Sequence, residues 1–117
     1  ITNNSIVYLD GSLGAGKTFF ARSLAANFGI SDICSSTYSF VTTYTGQLNL
    51  IHCDLYRFNR TNEVVIEEIF EHLKDPWLLI IEWPKIQLPI LSNCSYFVKI
   101  SNLSFNKRHI NIKSLIN

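Results

Sequence analysis

Residues Gly11-Ser12-Leu13-Gly14-Ala15-Gly16-Lys17-Thr18 match in full the pattern G-x-x-x-x-G-K-[ST], which is typical of a phosphate-binding loop. Such a loop needs a β-strand before it and an α-helix after it. Residues 6–10 form a short apolar run that favours a buried strand, and residues 17–28 carry apolar side chains at helical spacing before Gly29. The sequence therefore predicts a strand, a glycine-rich loop and a helix in succession.

Each residue type in this loop has a physical role in binding phosphate. Gly11, Gly14 and Gly16 allow backbone conformations that turn consecutive amide groups toward one anion. The helix that follows adds the positive end of its dipole. We expect Lys17 to contact the β- and γ-phosphates and the Thr18 hydroxyl to ligate Mg²⁺. The alternative interpretation is a glycine-rich turn with a solvent-exposed lysine.

A phosphate loop alone does not bind the metal fully or orient the attacking water. Two carboxylates that follow predicted strands are candidates for these two roles. Glu82 directly follows the all-apolar residues 77–81, a run typical of a parallel strand buried on both faces. We assign Glu82 to the metal, because the carboxyl ends of parallel strands share an edge with the phosphate loop. Asp54 could orient water or bind Mg²⁺ through solvent, or equally cap the next turn or pair with Arg57.

The rest of the chain predicts one further helix and two hairpins, from β-favouring runs, turn residues and one apolar helical stripe. The predicted strands are residues 38–44 and 48–53 in the first hairpin and residues 96–100 and 109–113 in the second, and the helix covers residues 62–74. The stripe consists of Ile66, Ile69, Phe70 and Leu73. The whole pattern predicts a small α/β, P-loop NTPase-like three-layer sandwich, whose mixed sheet has parallel core strands and two antiparallel hairpins.

Composition limits the possible classes of protein. The 117 residues are 47% hydrophobic and 16% charged, the balance of one compact domain, so we expect residues 1–117 to form a single domain. A net charge of +1 is too small for a broad nucleic-acid-binding face, so any role with nucleic acid is expected to be indirect or local. No apolar run approaches the roughly 20 residues of a transmembrane helix, so we expect no membrane association.

The three cysteines, Cys34, Cys53 and Cys94, form no C-x-x-C pair, which argues against a disulfide framework and a zinc site and favours a reducing cytosol. His52 and Cys53 point to opposite faces of a strand, so we expect a packed histidine rather than a metal ligand. The chain contains no methionine, which leads us to expect that an N-terminal segment is missing.

Three further blocks of sequence combine with residues 11–18 into a family resemblance. They are Ser35-Ser36-Thr37-Tyr38, His52-Cys53-Asp54-Leu55-Tyr56-Arg57 and Ile81-Glu82-Trp83-Pro84. Over nearly all of its length the chain resembles the TsaE family, small bacterial P-loop ATPases needed to make the threonylcarbamoyladenosine of tRNA. The resemblance also implies that the strand and helix that normally precede the first strand are missing here.

The resemblance implies ATP and Mg²⁺ as cofactors and gives roles to individual residues. Thr18 and Glu82 would be the magnesium ligands, and Thr37 and Asp54 switch-like residues that face the γ-phosphate. The implied nucleotide-binding residues are Gly11, Ser12, Leu13, Gly14, Ala15, Gly16, Lys17, Thr18, Thr37, Trp83 and Arg108, the last from the C-terminal hairpin. The implied catalytic residues are Lys17, Asp54 and Glu82.

The resemblance also implies a cytoplasmic ATPase that works beside two partners, similar to TsaB and TsaD. One partner attaches the threonylcarbamoyl group to the adenosine next to the anticodon, and this chain would reset or regulate that transferase and meet tRNA only indirectly. We expect weak ATPase activity without the partners, because one small domain leaves bound ATP partly open to water.

The sequence leaves two alternatives open. A small-molecule P-loop kinase needs an acceptor pocket and mobile arginines, but the four arginines predict no obvious lid. They are Arg22, Arg57, Arg60 and Arg108. In a nucleotide-gated binding module without hydrolysis, Asp54 and Glu82 would serve the structure or order a loop of a partner.

Overall fold

A six-stranded sheet with one helix on each face forms the described part of the chain. The computed structural model describes residues 4–11, 16–31, 33, 41–54, 62–82, 94–104 and 107–115. Within these residues the elements are β1 (Ser5–Gly11), α1 (Lys17–Ala26), β2 (Val41–Thr45), β3 (Asn49–Asp54), α2 (Asn62–Phe70), β4 (Trp77–Glu82), β5 (Cys94–Ser104) and β6 (Lys107–Leu115). None of the helices in these ranges is long and apolar enough to cross a membrane.

The strand order of the sheet is β2-β3-β4-β1-β5-β6. The four central strands run parallel, and the edge strands β2 and β6 run antiparallel to β3 and β5. The predicted mixed sheet with a parallel core and two antiparallel hairpins is therefore confirmed. Because β1, β3 and β4 are parallel, their last residues Gly11, Asp54 and Glu82 lie at the same edge of the sheet.

The two faces of the sheet bury two separate clusters of apolar side chains, because successive residues of a strand point to opposite faces. Under α1 lie Val7, Leu9, Leu50, Leu78, Ile80, Val98 and Ile100, packed against Ala21, Leu24 and Ala25. The other face carries Ile6, Tyr8, Ile51, Cys53, Leu79 and Ile81, packed against Ile69 of α2. Every residue of β4 is buried, as predicted for a central parallel strand covered on both faces.

The ends of several elements differ from the sequence predictions. α1 ends at Ala26, and Gly29 follows in a left-handed conformation with φ of 76°. α2 ends at Phe70 rather than at residue 74. The Phe70 side chain is 47% exposed, so its prediction as part of the buried stripe is wrong, whereas Ile69 is fully buried. Phe70 lies about 100° around the helix from Ile69, which turns it away from the sheet.

The second hairpin is longer than predicted. Its strands continue through polar residues, with Ser101 opposite His109 and Asn102 opposite Arg108. Backbone hydrogen bonds carry this part of the ladder and need no apolar side chains, which explains why hydrophobic patterning missed it. In the first hairpin the antiparallel pairing is confirmed, and predicted strand residues 38–40 lie outside the described residues.

Candidate functional site

The start of α1 lies directly beyond the predicted phosphate loop. Gly16 precedes the helix with φ of 99°, a left-handed conformation that glycine adopts without steric cost. Its carbonyl oxygen accepts a 2.9 Å hydrogen bond from the backbone N–H of Phe20, which begins the helical pattern. Loop residues Ser12, Leu13, Gly14 and Ala15 lie outside the described residues. Position 16, where the helix begins, therefore requires a left-handed backbone conformation that favours glycine.

Lys17, the first residue of α1, is buried with 6% of its surface exposed. Its Nζ donates a 2.5 Å hydrogen bond to the backbone oxygen of Gly11. Burial lowers the pKa of the Lys17 ammonium below its ordinary value, while the negative charges of Glu82, Asp54 and Asp10 act in the opposite direction. The lysine is therefore a buried cation under the electrostatic influence of three acidic groups, and not the exposed side chain of the alternative interpretation.

Asp54 and Glu82 stand side by side at the carboxyl ends of β3 and β4, where they are register partners. Side-chain alternation puts them on the face that α1 covers. Glu82 is 4% exposed, and Asp54 and Thr18, the second residue of α1, are half-buried. Carboxylate and hydroxyl oxygens are ligands that Mg²⁺ prefers, and it commonly binds through one or two carboxylates together with phosphates. The donor set therefore fits a magnesium–nucleotide complex.

The described residues contain no group of three or more His, Cys, Asp or Glu side chains arranged to hold a metal ion. They also leave no buried side-chain nitrogen or oxygen without a hydrogen-bond partner.

His52 belongs to this site, although sequence reasoning assigned it only a packing role. It is 2% exposed, as expected of a packed histidine, but its Nε2 lies 2.5 Å from Oε2 of Glu82. The strand register explains the contact: His52 is opposite Ile80, so Glu82 is two residues further along β4 on the same face. The alternation that separates His52 from Cys53 also gives His52 and Asp54 a common face, and this was the available sequence signal.

Asp10 is a second residue that sequence reasoning missed. It stands one position before the end of β1, is half-buried, and contributes a negative charge that acts on Lys17. An acidic residue immediately before a phosphate-loop sequence was the signal that could have identified it.

The remaining predicted site residues are placed as follows. Three of them lie outside the described part of the chain: Thr37, Trp83, and Arg57, a predicted partner of Asp54. Arg108 lies exposed on β6, and its Nη1 donates a 3.2 Å hydrogen bond to the backbone oxygen of Lys107. Gly11, the last residue of β1, is opposite Ile100 of β5. Since β5 continues to Ser104, the end of this hairpin extends beyond the carboxyl end of β1. The structure thus brings Lys17 together with the carboxylates and leaves Arg108 exposed on the hairpin.

These features define the chain as an α/β protein with a parallel-core sheet and a phosphate-loop sequence between its first strand and helix. The model of the family described as "Threonylcarbamoyl adenosine biosynthesis protein TsaE" matches residues 1–110. The chain therefore belongs to the TsaE family, and the resemblance found in the sequence is confirmed.

Individual relatives agree with this assignment. A Rickettsia typhi protein named "tRNA threonylcarbamoyladenosine biosynthesis protein TsaE" is 37% identical over 113 residues, which cover 94% of this chain and 78% of the relative. A Borreliella burgdorferi protein of the same name is 40% identical over 88 residues, or 74% of this chain and 64% of the relative. The solved structure "Crystal structure of Bacillus subtilus YdiB" has a TM-score of 0.72 and 24% identity, covers 100% of this chain and 72% of that chain, and supports the fold.

Proposed function

We propose that this chain is the ATP-binding and ATP-hydrolysing subunit of the machinery that makes threonylcarbamoyladenosine in tRNA, and that residues 1–117 form a single nucleotide-binding domain. Membership of the TsaE family and the names of its relatives support the biosynthetic role. The observation that carries the nucleotide site is Lys17, a buried cation at the start of α1 that is hydrogen-bonded to the end of β1 and influenced by the charges of the carboxylates ending β3 and β4.

In this proposal the triphosphate of ATP lies along residues Gly11 to Thr18. The ammonium of Lys17 exchanges its contact with the Gly11 carbonyl for the β- and γ-phosphate oxygens, which are stronger acceptors because they carry charge. The backbone amides of the loop and the positive end of α1 stabilise the same negative charge. Arg108, Thr37 and Trp83 would complete the nucleotide contacts.

Thr18 and Glu82 would hold Mg²⁺ through the hydroxyl oxygen and one carboxylate oxygen. A bound Mg²⁺ would neutralise part of the charge on the phosphate oxygens and favour displacement at the γ-phosphate. Asp54 would accept a hydrogen bond from the attacking water, since it stands next to Glu82 in the register and is only half-buried, within reach of solvent. This assignment separates metal binding by Glu82 from orientation of water by Asp54.

The cycle of ATP binding and hydrolysis would reset or regulate a threonylcarbamoyl transferase formed by proteins similar to TsaB and TsaD in the cytoplasm. Contact with tRNA would be indirect, in line with the net charge of +1. Hydrolysis by this chain alone would be slow, because efficient catalysis needs closure or additional groups from a partner.

The test measures Mg·ATP binding and phosphate release by the purified protein with and without the transferase partners. Lys17→Ala should abolish binding, whereas Glu82→Ala should reduce hydrolysis far more than it reduces binding to the partners. Lys113→Ala, which removes an exposed lysine from β6, serves as the control and should behave like wild type.

Three results would contradict the proposal. Fast turnover without partners would remove the need for them. Nucleotide and partner binding without phosphate release would favour a non-hydrolysing module, and phosphate transfer to nucleosides would favour a kinase.

A further inference from the structure

A buried histidine–glutamate pair lies inside the candidate site, at the point where the metal ligand is expected. His52 and Glu82 are 2% and 4% exposed, and their Nε2 and Oε2 atoms are 2.5 Å apart. The two residues are 30 positions apart in the sequence and meet only because β3 and β4 pair in parallel. The contact thus links two neighbouring strands at the sheet edge that also carries Asp54.

The surroundings of His52 make a polar side chain there unusual. Its neighbours on the same face of the sheet, Leu50 and Ile80, are fully buried and belong to the apolar cluster under α1. An imidazole in such a cluster is unfavourable unless it makes a hydrogen bond, and a buried carboxylate is more unfavourable still. In the pair each group has a hydrogen-bond partner. Two apolar residues at positions 52 and 82 would fill the core equally well.

We propose that His52 is a positioning residue for Glu82: by donating its Nε2–H to Oε2, it fixes the rotation of the carboxylate and leaves Oε1 for the cation of the nucleotide complex. The last side-chain torsion of glutamate is otherwise broad and weakly restrained. Hydrogen-bond partners behind a metal ligand commonly orient it in this way. The inference rests on the proposed function, because it concerns the magnesium ligand of the proposed ATP site.

Two substitutions separate positioning from packing. His52→Gln keeps an N–H donor at the end of a side chain of similar reach, whereas His52→Leu keeps apolar bulk and removes the donor. Ile51→Val is the matched control, because Ile51 lies on the same strand, is fully buried, and points to the opposite face. The measurement is the binding of a non-hydrolysable fluorescent ATP analogue, first in EDTA and then as MgCl₂ is added.

Positioning predicts a selective effect on the cation. His52→Leu should bind the analogue in EDTA like wild type, but should need about tenfold more Mg²⁺ for the half-maximal increase in affinity, the loss typical of a missing partner behind a metal ligand. His52→Gln should need distinctly less Mg²⁺ than His52→Leu, and Ile51→Val should match wild type.

The opposite outcomes are equally clear. A Mg²⁺ midpoint unchanged in His52→Leu, or an affinity reduced equally with and without Mg²⁺, would overturn positioning while leaving the ATP site intact. Absence of Mg²⁺-dependent binding in wild type would overturn the proposed function as well. If His52→Leu does not fold, His52→Asn replaces it, because its shorter amide cannot reach Glu82. Equal midpoints for the Asn and Gln variants would then contradict the proposal.

Discussion

The ammonium of Lys17 donates a hydrogen bond to the backbone oxygen of Gly11, which joins the first residue of α1 to the last residue of β1. The two residues are six positions apart and both belong to the phosphate-loop sequence. The lysine is at the same time buried near Glu82 and Asp54. A phosphate ligand would therefore meet a cation that is already held in place, and would compete with the Gly11 carbonyl for it.

The pH dependence of stability should report the burial of Lys17. The pKa of Lys17 is lowered in the folded chain from its ordinary value of 10.5. Between the lowered pKa and 10.5 the unfolded chain therefore holds more of this proton than the folded chain does, and the free energy of unfolding rises with pH over that range. Lys17→Met removes the charge and keeps an apolar stem. The variant should be more stable than wild type to urea at neutral pH, with an advantage that shrinks as the pH approaches 10.5. Lys113→Met controls for the loss of one exposed positive charge. A difference in the free energy of unfolding between wild type and Lys17→Met that does not change with pH would contradict the interpretation.

Asp54→Asn should separate hydrolysis from binding. The amide keeps the size of the side chain but is a poor acceptor for a proton from water, so phosphate release with partners should fall by about 10²-fold or more. Affinity for Mg·ATP should change little, because Glu82 and Lys17 are retained. Single-turnover phosphate release and equilibrium nucleotide binding provide the two measurements. Glu71→Gln, an exposed change just beyond α2, is the control. Equal losses of binding and hydrolysis in Asp54→Asn would favour a metal-ligand role for Asp54.

The parts of the fold that the sequence predicted correctly are those with strong hydrophobic patterning. Residues 77–81 are apolar without interruption, and β4 is buried on both faces between β1 and β3. The glycines and the lysine of residues 11–18 marked the strand-to-helix junction, and α1 begins at Lys17 as predicted. Phe70 was included in the apolar stripe because it lies four residues after Ile66 and three before Leu73, but periodicity does not show which side of a stripe faces the sheet.

The candidate site was only partly predictable, for a reason of topology. Lys17 and Glu82 follow from local patterns, a glycine loop and the end of an apolar run. The partnership of His52 with Glu82 depends on strands that are 30 residues apart and on their register, which no local pattern encodes. The influence of Asp10 on Lys17 likewise arises only when β1 and α1 are brought together around the loop.

Cys53 should be chemically inert in the folded chain. Burial, with a further contribution from Asp54, raises the pKa of its thiol from 9.0 to about 12, and the thiolate is the reactive form. Iodoacetamide should therefore leave Cys53 unmodified in the native protein at mildly alkaline pH and alkylate it in guanidinium chloride. Peptide mass mapping compares the two states, and rapid native alkylation at this position would show that the strand is not buried in solution.

The same thiol should lower stability at alkaline pH. Between pH 9.0 and about 12 the unfolded thiol loses its proton while the folded thiol keeps it, so folding becomes less favourable as the pH rises through this range. Cys53→Ala removes this contribution. Urea unfolding should show a smaller alkaline decline in the variant than in wild type, and parallel declines would contradict the raised pKa.

The turn between β2 and β3 fixes the position of β3 relative to α1, and Gly46 makes its close approach possible. The backbone N–H of Gln47 donates a 2.8 Å hydrogen bond to the oxygen of Phe28, just beyond α1. A Cβ at Gly46 would lie 2.5 Å from that oxygen and 2.7 Å from Cγ1 of Ile30. Gly46→Ala should therefore reduce the free energy of unfolding by about 1–3 kcal/mol, the usual cost of overpacking. Because β3 carries His52 and Asp54 and α1 carries Lys17, the same shift should also weaken Mg·ATP binding.

Gly29 provides the contrast, because its constraint is conformational rather than steric. Its φ is 76°, and an added Cβ would approach only the Gln47 side chain, at 3.9 Å. Gly29→Ala should cost about 1–2 kcal/mol through the left-handed backbone, and Gly29→Asn should recover part of this loss because asparagine tolerates that conformation. Gly46→Asn should recover nothing, since any side chain meets the Phe28 oxygen. Chemical denaturation of the four variants measures these differences, and recovery by asparagine at position 46 would show that close packing of the turn on α1 is not what requires glycine there.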